Sequence, residues 1–440
     1  MIKKAKANLV TIKNKDDKKL SMALMASYVV LTIQYAILIS FNLMDTDSGA
    51  MVQLLSKGLV GLFFLYALPV VLKRRKFTVL GIYFTSLFVF LLHFLFFPEN
   101  RVYIGEISVS FFLMCVPAFL YSLCLHDWKV LKDRMKKTSW FVFVFGLIAG
   151  IQIVVGGAAA GTYSMSLSYY ILLPAILFID EFFEKFTLRS LFVAFLSVLV
   201  ILALGARGAI LCIAVFILFR IIRPYAKFHY RRILLYLAIL VSTLLVFVNL
   251  ERILVTLNGF LLKFGITSRS VMLFLNNEEI HLSGREKIYH YVLGEIAAHP
   301  VLGVGLGGDR VSGLGYSHNL FLELGSNFGV ILGGILSLVL ILLIVRSFFL
   351  KNKAKSQMVV IWLCLGFVHL MVSGSYLIEM KFWILLGLLI NVHFLVPAKG
   401  EGLHAEKENH PGYDLKYHRN GSAHPDSSAG DPTIHRYKSR

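Results

Sequence analysis

From Ser21 onward the chain is made of apolar blocks long enough to cross a lipid bilayer, and no other feature restricts its fold as strongly. The blocks fall at residues 22–44, 51–72, 77–97, 104–125, 139–160, 166–180, 188–204, 207–222, 233–250, 319–345, 357–373 and 377–396. A helix needs about 20 residues to span the roughly 30 Å hydrocarbon core. Backbone N–H and C=O groups meet no water there, so each block must pair its own backbone as an α-helix. The alternating strands of about ten residues that mark a membrane barrel are absent. Composition agrees, with 57% hydrophobic and 16% charged residues, where soluble domains carry about 25% charge. The expected fold is an all-α polytopic membrane protein with about twelve transmembrane helices.

Charge then orients the blocks. The formal net charge is +19. Such an excess on a soluble domain would suggest nucleic acid, but here the basic residues are scattered over many short loops, which excludes that partner. They follow the positive-inside rule instead. With the lysine-rich leader 1–20 in the cytoplasm, the inner connections hold Lys73–Lys76, Lys129–Lys137, Lys185, Arg189, Arg220–Arg232 and Arg346–Lys355. The short outer ones hold Arg101 and Arg207. The expected organisation is a leader (1–20), helices one to nine (21–250), an exoplasmic loop (251–317), helices ten to twelve (318–396) and a tail (397–440), with both termini cytoplasmic. The first block is long enough to be a span, so no cleaved signal peptide is expected.

The loop 251–317 is far longer than the other connections. Within it, Ile288, Tyr289, Val292, Leu293 and Ile296 share one helical face. An amphipathic helix over Arg285–Ala298, ended by Pro300, is therefore expected. The tail is polar, lacks apolar periodicity and is expected to be disordered. The four cysteines, at 115, 124, 212 and 364, lie in apolar segments and outside the long loop. They read as small buried hydrophobes, with no disulfide framework.

Several residues could carry chemistry. The run Gly303–Gly308 spells G-x-G-x-x-G, but it follows a helix-ending proline in an outward loop and lacks the βαβ context of a dinucleotide site. A hinge, or a close backbone approach to a ligand, remains for it. Ser317-His318-Asn319 opens the tenth block, and Arg207 opens the eighth. Two helix N-termini at one outer cavity would suit a phosphate-bearing ligand. The alternatives stay open: Ser317 or Asn319 as a simple cap, His318 at the water interface, Arg207 as an interfacial anchor. Arg285, Lys287 and Arg310 sit in a loop whose charges balance, so solvation is the default for each. His93, Gln152, His369, Glu379 and Lys381 lie inside blocks, where polar groups serve either function or helix-to-helix hydrogen bonds.

Taken in order, these pieces resemble a known family. Gly205-Ala206-Arg207-Gly208-Ala209 opens one span. An outer loop with Arg285 follows, then His299-Pro300-Val301-Leu302-Gly303-Val304-Gly305, then His318-Asn319-Leu320 and Asn327-Phe328-Gly329. This string is similar to that of the O-antigen ligase and polymerase superfamily. Ser164–Tyr170 resembles a stretch of surface-polysaccharide polymerases. The resemblance implies an enzyme of the outer face of the plasma membrane. It would transfer a glycan from a polyprenyl diphosphate carrier to an acceptor sugar, without nucleotide, cofactor or metal. Membrane lipids and other polysaccharide-assembly proteins are the further partners expected. Catalytic roles fall on His318, Arg207 and Arg285, and substrate binding on Asn319, Arg310, Lys287 and Tyr169. The family often carries Ser where this chain has Ala206. The 163–170 stretch favours a polymerase over a ligase. A peptidoglycan-type polymerase would rely on an outer carboxylate such as Asp309, and a lipid-glycan flippase would line a central path with charge.

Overall fold

The computed structural model describes residues 2–44, 46–155, 165–204, 206–222 and 285–395, with a few single positions between 252 and 263. The ninth block, most of the long loop and the tail lie outside the described residues, and so do Tyr163 and Ser164. Among the described residues every regular element is helical. Five helices are long and apolar enough to cross a membrane: Asn14–Ser40, Asp47–Phe96, Pro98–Leu123, Ser166–Lys185 and Leu320–Phe348. Leu188–Leu202 and Met380–Phe394 are shorter apolar helices.

Helix α1 (Ile2–Ser40) packs on α5 (Trp128–Val155) and on α2 (Asp47–Phe96). The 50 residues of α2 cover the second and third expected spans. They break at Arg75, whose φ of −151° and ψ of 51° are not helical. Phe64 and Phe90 would stand about 39 Å apart on a straight helix. Yet Phe64 meets Tyr121 edge-to-face and Phe90 packs tilted on Phe111, within a single span. The chain therefore reverses at Arg75, inside the basic run Lys73–Lys76.

That span comprises α3 (Arg101–Ser110), a π-helical turn (Phe111–Cys115) and α4 (Val116–Leu123). Next come α6 (Met165–Lys185), α7 (Leu188–Ala203) and α8 (Arg207–Ile222). Helix α6 is thus longer than the 166–180 expected. The amphipathic helix forms as α9 (Arg285–Ala298), burying Ile288 and Val292 and leaving Leu293 exposed.

Helix α10 (Leu320–Phe348) corrects the expected tenth span. It starts at Leu320, with Asn319 as its cap, so His318 lies before the helix. It also breaks at Gly329 (φ 76°, ψ 175°). A Cβ on Gly333 would lie 2.5 Å from the Leu324 carbonyl oxygen, whereas nine residues of straight helix span about 13.5 Å. The bend is therefore sharp. The chain ends in α11 (Lys353–Trp362), a second π-helical turn (Leu363–Val368), a turn at 369–379 and α12 (Met380–Phe394), which packs against α4.

The polar residues of the bundle gather at two ends. At one, Arg74 donates to Asp17 (2.6 Å) and to the Cys124 carbonyl (2.7 Å), and Asp17 also accepts from the Asp127 amide (3.0 Å). There too, buried Asp180 pairs with Arg220 (2.8 Å) and Lys132 (3.3 Å) and accepts from Gln357. These are the loops read from charge as cytoplasmic. The opposite end carries His93, Asn100, the loop 299–319 and the turn 369–379.

Candidate functional site

The loop 299–319 is sewn onto the ends of the spans. The break at Gly329 leaves helix backbone groups without helical partners, and the loop supplies them. The Val330 amide donates to the Pro300 carbonyl (2.8 Å), and the Val304 amide to the Ser326 carbonyl (2.7 Å). The Leu306 amide donates to His93 Nδ1 (3.0 Å), and Asn100 donates to the Val304 carbonyl (2.7 Å). This gives His93 a helix-to-loop role, as Gln152 takes a helix-to-helix bond from Ser40 (2.7 Å). Gly303, Gly305 and Gly307 all have positive φ. A Cβ on Gly303 would sit 2.3 Å from the Ser326 carbonyl oxygen, and one on Gly305 2.6 Å from the Phe97 ring. The glycine run therefore makes a close backbone approach, but to the protein's own spans.

The loop delivers His318 in a left-handed conformation, φ 54°. Positive φ is uncommon outside glycine, although asparagine, aspartate and histidine adopt it more often than other residues. Asp309, fully buried, accepts the Ser317 amide at 2.9 Å. The Tyr316 ring lies against the imidazole with centroids 4.2 Å apart, and Arg310 lies over the Tyr316 ring at 5.5 Å. His318 Nδ1 is buried without a hydrogen-bond partner. Burial first, and then the positive charge of Arg285, push the imidazole down to about 4. At neutral pH His318 is therefore uncharged and able to accept a proton. Burial pushes the Asp309 carboxyl up, against the opposing charge of Arg310. Asn319 accepts the amides of Phe321 (3.0 Å) and Leu322 (3.2 Å), which is the cap reading.

Beneath this loop lies a polar group that sequence reasoning did not place in the site. Glu323, fully buried, accepts from the Ser375 hydroxyl and from the Tyr376 amide (3.1 Å). Arg310 donates to the same Ser375 oxygen at 3.1 Å. Asn327 donates to the Tyr376 hydroxyl at 3.0 Å. The available signal was the spacing that puts Glu323 on one helix face with Asn319; nothing in the sequence points to Ser375.

Arg207, half-buried, starts α8. A Cβ on its neighbour Gly208 would come 2.1 Å from the Tyr169 hydroxyl oxygen. Tyr169 stacks on His369 at 3.7 Å, and His369 Nδ1 lies 3.4 Å from Glu379, which pairs with Lys381 at 3.0 Å. The turn 369–379 thus touches both groups, through Ser375 at Arg310 and through His369 at Tyr169. The structure sets Arg310 and His318 against the Tyr316 ring, puts His318 within the electrostatic reach of Arg285, and places Arg207 next to the glycine that packs on Tyr169. Lys287 is exposed and is not drawn in. Among the described residues no group of acidic, histidine or cysteine side chains could hold a metal ion.

Fold and site together define a multi-pass helical membrane protein. One end of it carries a half-buried histidine on a hydrogen-bonded loop, with Arg310 on the same loop and the charge of Arg285 acting on the imidazole. Residues 192–336 match the family model of the O-antigen ligase, and that segment includes Arg207, Arg285 and His318. Comparisons with curated proteins and with solved structures returned no match.

Proposed function

We propose that the protein is a membrane glycan polymerase, joining polyprenyl diphosphate-linked oligosaccharide units at the outer face of the plasma membrane. The observation that carries this reading is His318 itself, set on a loop held by Asp309 and against Tyr316, with Nδ1 free of hydrogen bonds and Arg285 acting on it. Glycosyl transfer from a diphosphate carrier needs a group that accepts the acceptor hydroxyl proton, and cations where charge develops on the leaving diphosphate. His318 supplies the first. Arg285 and Arg207 supply the second, with planar forks that match phosphate oxygens. Bond formation at the sugar carbon releases the carrier diphosphate, and the hydroxyl proton passes to the imidazole. The polymerase is favoured over a ligase by the 163–170 stretch, whose Tyr169 packs against the start of α8 beside Arg207.

The test is glycan ladder formation in membranes supplied with lipid-linked repeat units. Arg285→Ala and Arg207→Ala should each lower the rate by about 10²–10³, and His318→Ala by about 10²–10⁴. Lysine at either arginine should restore only part. Near-normal ladders from both His318→Ala and Arg285→Ala at equal protein level would sink the reading. A single glycan added to a final acceptor, without a ladder, would favour the ligase.

A further inference from the structure

His318 is a loop residue with a φ of 54°, and its position depends on the groups that hold the loop around it. Two buried carboxylates anchor the loop on either side of it, Asp309 through the Ser317 amide and Glu323 through Ser375 and Arg310. Glu323 sits one turn into α10, fully buried. Its two oxygens take the Ser375 hydroxyl and the Tyr376 amide. Ser375 is itself fully buried, and its oxygen accepts from Arg310 (3.1 Å) and from the Leu377 amide (3.3 Å). The Tyr376 carbonyl in turn accepts the Trp383 indole at 2.7 Å, which fastens the turn to α12. Arg310 is thereby held across the Tyr316 ring, and the Tyr316 ring against His318. On the other side Asp309, next to Arg310, holds the Ser317 amide.

We propose that Glu323 is a positioning residue for His318. Through Ser375 and Arg310 it clamps the Asp309–His318 loop onto the turn between the last two spans and keeps the imidazole pointed at the acceptor. The clamp runs through the Ser375 oxygen, which accepts from Arg310 at 3.1 Å while its proton goes to Glu323. Arg310 is then committed to the protein rather than to a phosphate. A carboxylate buried at the start of a membrane helix otherwise has no evident reason to be there. Displacement of a reacting group by about 1 Å can cost 10²-fold in rate, so a clamp that acts through Ser375, Arg310 and Tyr316 can still matter to the chemistry.

This inference rests on the glycosyl-transfer reading, but one arm of its test does not. In the first arm, Glu323→Gln and Ser375→Ala are assayed for ladder formation in the full-length protein. Each should lower kcat about 10–10²-fold with the donor KM unchanged. The double variant should fall no further than the worse single one, and Glu323→Gln should cost nothing more in a His318→Ala background. A raised KM at unchanged kcat, or losses that multiply with His318→Ala, would overturn the proposal. If Glu323→Gln does not fold, Ser375→Ala, which removes one hydroxyl, answers the same question. In the second arm, diethyl pyrocarbonate labelling at each histidine is followed by mass spectrometry, with no activity required. Loosening the clamp should speed labelling of His318 at least threefold, while exposed His299 keeps its wild-type rate. Unchanged labelling of His318 would also overturn it. Changed labelling in a protein without transfer activity would uphold the clamp and reject the glycosyl-transfer reading alone.

Discussion

At the scale of single residues, the chemistry turns on the charge state of His318. An ordinary histidine is half protonated near pH 6.5. This one, half-buried and under the positive charge of Arg285, is lowered to about 4. A group that must be neutral to accept a proton then stays competent throughout the range above pH 4 and fails only below it. The acid limb of kcat/KM, which reports the free enzyme, is expected near pH 4. A bound diphosphate brings negative charge that favours the imidazolium, so the acid limb of kcat should lie at higher pH. Initial rates across pH 3.5 to 8, at limiting and at saturating donor, would check both limbs. A kcat/KM limb at about 6.5 would mean that His318 is more exposed or less cationically surrounded than described.

Individual elements show how such residues are placed. Helix α8 starts at Arg207, and its next residue is a glycine because the Tyr169 hydroxyl occupies the space of a Cβ. Gly208→Ala should push Tyr169 away or shift the first turn of α8 with Arg207. We expect a loss of activity of about 10²-fold, the scale of a 1 Å misplacement. Tyr169→Phe removes the clashing oxygen. In the double variant it should therefore recover part of the loss, though Val372 also lies 2.9 Å from the same Cβ position. Ladder assays on the two single variants and the double one would read this, and a double variant as poor as Gly208→Ala would break the argument. The bend in α10 belongs at this scale as well. Gly329 lets the chain turn, and the loop 299–305 fills the resulting gap in backbone hydrogen bonding.

For the whole molecule, two ends have different tasks. At the basic end Asp180 joins α5, α6, α8 and α11 through Lys132, Arg220 and Gln357. Removing one partner of a buried pair leaves an uncompensated charge, so Asp180→Ala should destabilise by about 3–5 kcal/mol. The Lys136–Glu181 pair is partly exposed, with side chains 33% and 21% accessible, and Lys136→Ala should cost only about 0–1 kcal/mol. Thermal unfolding in detergent would separate the two, and equal effects would contradict the assigned burial. Sidedness is a separate expectation that rests on the charge of the loops. A cysteine at Glu278 should react with an impermeant reagent from outside the cell, and a reporter after Lys353 should be cytoplasmic. Labelling of the Glu278 site from the cytoplasm alone would invert the topology and remove the site from the outer face.

Membrane helices are legible in sequence because hydrocarbon forces every long apolar block to satisfy its own backbone. That argument reaches α1, both halves of α2, α6 and α10, and helical periodicity together with Pro300 located α9. Arg207, Arg285 and His318 were marked by their positions before helices or in the long loop, which are local features. Tertiary structure decided the rest. Whether His318 belongs to a helix depends on the Asn319 cap. What the glycines of 303–307 approach depends on Phe97 and Ser326, hundreds of residues or one helix bend away. Glu323, Ser375 and Tyr376 became a group only when α10 and the 369–379 turn met. A serine or glutamate inside an apolar stretch carries no sign of its partner, because a hydrogen bond across the bundle requires no particular spacing along the chain.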